Sequence, residues 1–167
     1  MTDSHPLRSI LSLTASTTAA TTAAIAAAGA LELRNAAAPL NAVSHILWGD
    51  IAARQNGTSA QYTALGTAIN AAAMASWCVL HHAIFRPDRR RAGLAPALAR
   101  GTATAAAAYV VDYYVVPRRL TPGFEKRLSG RSMFAVYAAL ALGLVIGEQM
   151  TRRIRPARVS VGRLLIR

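Results

Sequence analysis

One cysteine, one lysine and three phenylalanines are all that this 167-residue chain holds of those types, and its acidic side chains number only seven. A single thiol, Cys78, cannot close an intramolecular disulfide or supply a multi-cysteine metal site, so disulfide scaffolds, zinc ribbons and dithiol redox chemistry are excluded. There is no Walker A sequence, no GxGxxG, no nucleophile elbow and no zincin motif. Phosphate-cradling, dinucleotide, serine-hydrolase and metalloprotease chemistries therefore lack their local signatures. Neither a metal nor a cofactor is expected, and the reading leans away from an enzyme.

Apolar residues, by contrast, make up 53% of a chain whose net charge is +12. A soluble basic protein spreads its cations over a solvated surface. Here they are bunched, in Arg86 with Arg89 to Arg91, Arg118 with Arg119, Lys126 with Arg127 and Arg131, and Arg152 onward. The stretches between are almost free of charge, which is the pattern of membrane spans and their flanks. Nucleic-acid binding would explain the charge but not those stretches, and it is rejected.

A span needs ~20 apolar residues to cross ~30 Å of hydrocarbon. Four runs qualify: about 10–31, 60–85, 96–116 and 133–150. The first is built of Ala and Thr, with Thr14, Thr18 and Thr22 four apart on one helix face, where small residues let backbones approach. A cleaved signal peptide is its competing reading, with Ala26, Ala27 and Ala28 as small-residue cleavage positions. The last run carries Gly143 and Gly147 in a small-xxx-small pattern.

Residues 36–53 are too short and too interrupted, by Pro39, Asn41, His45, Gly49 and Asp50, to span. They read as a re-entrant or interfacial helix with Leu40, Val43, Leu47 and Ile51 on one stripe and Trp48 at headgroup level. In the loop 117–131, Phe124 and Leu128 are expected to rest on lipid while Glu125, Lys126 and Arg127 face water. The basic tail 151–167 is expected to lie against anionic headgroups. The chain thus reads as one all-α integral membrane domain, 1–167, of about four transmembrane helices. With four spans, eleven of the Lys and Arg residues fall on the side of the termini and seven on the other, Arg100 lying within a span. That places both termini in the cytoplasm of a bacterium with the bundle in its inner membrane.

Ionisable groups at membrane depth are costly and are the candidates for function. Arg100 and Glu148 lie near the cytoplasmic ends of their spans, where a structural pair and separate snorkelling are equally cheap. Asp112, in Tyr109-Val-Val-Asp-Tyr-Tyr114, falls on the outer side with His45 and Asp50. With Tyr113 these form a candidate polar or binding pocket, although no ligand spacing supports a metal. The bland reading pairs Asp112 with Arg118 or Arg119. Asn70 shares a helix face with Met74, Trp77 and His81 and is a further candidate for a polar path.

Asn41, His45, Trp48, Gly49 and Asp50, together with Asp112-Tyr113 and Pro122-Gly-Phe-Glu125, resemble small uncharacterised multi-pass proteins of bacterial inner membranes. The resemblance covers Asn41 to Gly147, implies the membrane class and transfers no activity. The expected role is structural or partner-binding, the partner being a second copy or another membrane protein. The alternative is a small transporter or proton-linked permease component with Asp112 in its path.

Overall fold

The computed structural model describes residues 5–85 and 93–153. The cluster Arg86 to Arg91 and the tail from residue 154 lie outside the described residues. Among those described, the chain is all-helical and has no strand. The helices are α1 His5–Leu33, α2 Ala37–Val43, α3 His45–Trp48, α4 Asp50–Ala53, α5 Leu65–Phe85, α6 Leu94–Val110 and α7 Gly130–Arg153. A π-helical turn, Ala60–Ala64, precedes α5, and another, Val111–Val115, ends α6.

Among the described residues, three helices are long and apolar enough to cross a membrane: Pro6–Leu33, Ala60–Phe85 and Gly130–Thr151. The helix from Leu94 is not among them. Arg100 and three threonine or glycine neighbours dilute its apolar content at the start, and Asp112 follows at its end.

α1 and α7 form the central, antiparallel pair. A Cβ on Gly143 would lie 2.7 Å from Thr17 Cα, and one on Gly147 would lie 2.7 Å from Leu13 Cα. This closeness lets Ser16 Oγ donate to the Gly143 carbonyl at 2.8 Å and Ser12 Oγ to that of Gly147 at 3.3 Å. At the other end of the pair, Glu32 accepts from the Ser129 amide at 2.9 Å and from Ser132 Oγ at 2.5 Å. A carboxylate there suits the positive N-terminal end of α7. α6 packs on the other flank of α7, where Gly101 abuts the Ala141 carbonyl. α5 lies along α1.

The threonines differ from the expected stripe. Thr17 and Thr21 are the buried pair, while Thr14, Thr18 and Thr22 line an open groove on α1. The reason is that α7 and α5 approach α1 from the Thr17 side. Thr17 and Thr21 donate to the carbonyls of Leu13 and Thr17, at 2.8 and 2.9 Å, so their hydroxyls are satisfied within the helix.

Residues 36–53 do not form a single amphipathic helix. They make three short helical pieces, broken at Ser44 and at Gly49, whose φ of 65° favours glycine. α2 is buried along its whole length between α1 and α5. The expected stripe is therefore split: Leu40 and Val43 are in the core, whereas Leu47 and Ile51, beyond the break, are exposed. The segment also closes on itself. Asn35 Nδ2 donates to the Asn56 carbonyl at 2.9 Å, and Asn41 Nδ2 donates to those of Gln55 and Gly57 at 3.0 and 2.9 Å.

Candidate functional site

Two groups of polar side chains inside the bundle join charged residues to neighbouring helices. The first is where the ends of α5, α6 and α7 meet. Arg100 grips Glu148 through two contacts, Nε to Oε1 at 3.0 Å and Nη2 to Oε2 at 2.5 Å. The same Oε1 lies 3.0 Å from His81 Nε2, and the other ring nitrogen of His81 lies 2.7 Å from Thr104 Oγ1. His81 is buried, and the two charged side chains are nearly so, at 13% and 14% exposure. Paired charges with shared hydrogen bonds are the form in which ions are tolerated in an apolar interior. The sequence offered Arg100 and Glu148 as candidates for pairing, and His81 only as a member of the Asn70 helix face.

The second group is toward the opposite end of the bundle. The π turn sets Asp112 against α7, where its Oδ2 accepts from Tyr137 Oη at 2.7 Å. A widened turn of this kind recurs at functional sites, because it re-aims one side chain out of the regular helical register. The expected ion pair with Arg118 or Arg119 does not form. Both arginines sit in an exposed 3₁₀ turn, Arg118–Leu120, and the charge of Glu125, of like sign, bears on Asp112 instead. Glu125 accepts from Thr121 Oγ1 at 2.7 Å and from Tyr113 Oη at 3.5 Å. The rings of Tyr109 and Tyr113 each meet Tyr137 edge to face, at 5.3 and 6.2 Å between centroids, and tilt against one another at 5.1 Å.

Beside the second cluster, with Asp112 and Tyr137 in its wall, lies a cavity of about 80 Å³. Its wall is mostly aliphatic, from α5, α7 and the loop after the π turn, with Asp112, Asn70, Thr21 and Tyr137 as its polar members. One water needs ~10–15 Å³ measured this way, so the space holds a few. Asn70 is 6% exposed and uses both protons of its amide, donating to Thr21 Oγ1 at 3.0 Å and Thr22 Oγ1 at 3.2 Å. Among the described residues nothing donates to its Oδ1, nor to Oδ1 of Asp112.

The candidate pocket of His45, Asp50, Asp112 and Tyr113 does not assemble. His45 is buried beneath Gly123, with Nδ1 at 3.1 Å from the Ala42 carbonyl and Nε2 without a partner among the described residues. Gly123, at a φ of 92°, has no room for a side chain against His45, and its neighbours Pro122 and Phe124 line the cavity. The turn therefore stands between His45 and Asp112. Asp50 is exposed and pairs with Lys126. The hydrogen bond from Lys126, and then its charge, hold the Asp50 carboxyl below the ordinary carboxylate range.

Phe124 and Leu128 correct a further expectation. Neither rests on lipid: both are buried in the core, at 4% and 6% exposure. A 3₁₀ turn at Phe124–Lys126 tucks Phe124 under α2 and against Tyr137, at a ring distance of 6.4 Å. Arg127 holds the loop from outside, donating to the Ala53 carbonyl and to Asn56 Oδ1, both at 2.7 Å. Trp48 is part-exposed, and its Nε1 donates to the Gln61 carbonyl at 3.1 Å. Sequence reasoning missed Tyr137 as the partner of Asp112. Its only signal was a hydroxyl-bearing ring early in an otherwise apolar run.

Among the described residues, no group of three or more His, Cys, Asp and Glu side chains is arranged to hold a metal. No protein-family model, curated protein or solved structure matches the chain.

Proposed function

We propose that the chain is a multi-pass protein of a bacterial inner membrane, crossing four times through α1, α5, α6 and α7 with both termini in the cytoplasm. Its role in this reading is structural or partner-binding. The observation that carries it is the mutual engagement of Arg100, Glu148, His81 and Thr104, which ties three helices together at one end and leaves little to move. The outward side of α7 supports it too: Phe134, Leu142, Ile146 and Met150 are all exposed large apolar residues available to lipid or to another helix. The exposed Arg118, Arg119 and Arg131 suit anionic headgroups.

A photocrosslinking residue at Leu142, in cells, tests the role. Adducts to a second copy or to another membrane protein are expected, and adducts to lipid alone overturn it. The cavity holding Asp112 and Asn70 favours a second reading, a small transporter or proton-linked permease component. For that reading, an Asp112→Asn variant should keep its stability and fail to complement a deletion strain. Full complementation at wild-type stability overturns it.

A further inference from the structure

The cavity beside Asp112 is lined by two side chains, Asp112 and Asn70, that each keep one oxygen without a donor among the described residues. An ionised carboxylate in a mostly aliphatic wall is tolerated when it is paired. Asp112 has one hydrogen bond, from Tyr137, which is neutral. Among the described residues no cationic side chain pairs with it, and the charge of Glu125 that bears on it is of like sign. Its second oxygen has no donor among the described residues. Across the same cavity the amide oxygen of Asn70 is in the same position, on a side chain that is more than nine-tenths buried. Asn70 cannot rotate to supply a proton, because both N–H groups are taken by Thr21 and Thr22.

We propose that this cavity is a binding site for one small monovalent cation, an alkali ion or ammonium, held by the carboxylate of Asp112 and the amide oxygen of Asn70 with water completing its shell. The charge balance fixes the valence, since one carboxylate faces the space and Glu125 is already engaged by Thr121 and Tyr113. The size fixes the class: about 80 Å³ admits an ion with a few waters and excludes a bulky organic cation. The site goes beyond the structural role proposed above. It gives the permease reading its ligand but does not depend on that reading, because a bound ion can equally serve a bundle that transports nothing.

The test uses the full chain purified in detergent, with thermal unfolding followed in lithium, sodium, potassium and ammonium chlorides against choline chloride. Ionic strength is held constant and the pH mildly alkaline. At least one small cation is expected to raise the Tm by several degrees in a saturable manner, and the series separates alkali ions from ammonium. Asp112→Asn should abolish that shift. Asn70→Ala should raise the half-saturating concentration roughly tenfold. If every cation behaves like choline in the wild-type protein, Asp112 is neutralised by a proton alone and the proposal fails, whether or not the variants fold. A shift that persists undiminished in a folded Asp112→Asn or Asn70→Ala variant places the ion elsewhere and also overturns it.

Discussion

The guanidinium of Arg100 and the carboxylate of Glu148 face each other across the α6–α7 contact in a two-pronged pair, with His81 closing the third side. Removing one member strands the other in the interior, at a cost of ~3–5 kcal/mol, whereas replacing both by apolar residues is often near neutral. Arg100→Ala is therefore expected to lose that stability or fail to accumulate. The double variant Arg100→Leu with Glu148→Leu should recover most of the loss. Unfolding in mixed micelles measures both, and equal losses in the two proteins would show that packing rather than charge holds this end.

Gly143 offers a purely steric test. Any Cβ there meets the Thr17 backbone, which cannot give way without moving α1 off α7. Gly143→Ala should cost ~1–3 kcal/mol, the range for overpacking a tight contact. Gly130→Ala, where a Cβ meets nothing within 4 Å, is the matched control. Comparable losses at both positions would contradict the close helix contact.

The Asp50–Lys126 pair predicts a pH response by its sign. Lys126 lowers the folded-state pKa of Asp50 below its ordinary 3.8, so whatever the pair contributes is fully present above that value. It fades only as acidification protonates the folded-state carboxylate. Asp50→Asn should accordingly leave the pH profile of stability unchanged from neutral down to mildly acidic conditions. A difference that appears near neutrality would mean another group is titrating.

The closed segment between Asn35 and Asn56 makes a topological prediction. Ala36→Cys and Arg54→Cys, each in a Cys78→Ala background, place thiols at exposed positions on either side of it. An impermeant reagent applied from the periplasmic side should label both. Labelling of only one would mean that the segment crosses the membrane.

The helices were legible because uncharged runs of some twenty residues separated by arginine clusters leave few other arrangements. The small-residue contact of α7 was legible for the same reason: Gly143 and Gly147 repeat at helical spacing. What escaped was set by tertiary choices that leave no periodic trace. Which face of α1 turns inward depends on where α5 and α7 approach it, so Thr17 and Thr21 displaced the Thr14 stripe. Phe124 and Leu128 look like lipid anchors on one amphipathic turn, but Gly123 bends that turn under α2 instead. Asp112 has two arginines a few residues away, and a sequence-local reading prefers them. The π turn carries it to Tyr137, a partner from another helix. At the candidate site, Asn70 and Asp112 were named separately, and only the fold puts them on one cavity.

The packing of α2 also joins parts of the chain that are made at different times. α2 packs on both α1 and α5, so its place is complete only when those two stand side by side. It stays uncovered on a further side until Phe124 arrives from a loop that the ribosome makes only after α5 and α6. An early stretch of chain is thus completed by a late one. A truncated product ending before residue 117 would leave that early stretch open, a ready signal by which quality control could tell an unfinished chain from a finished one.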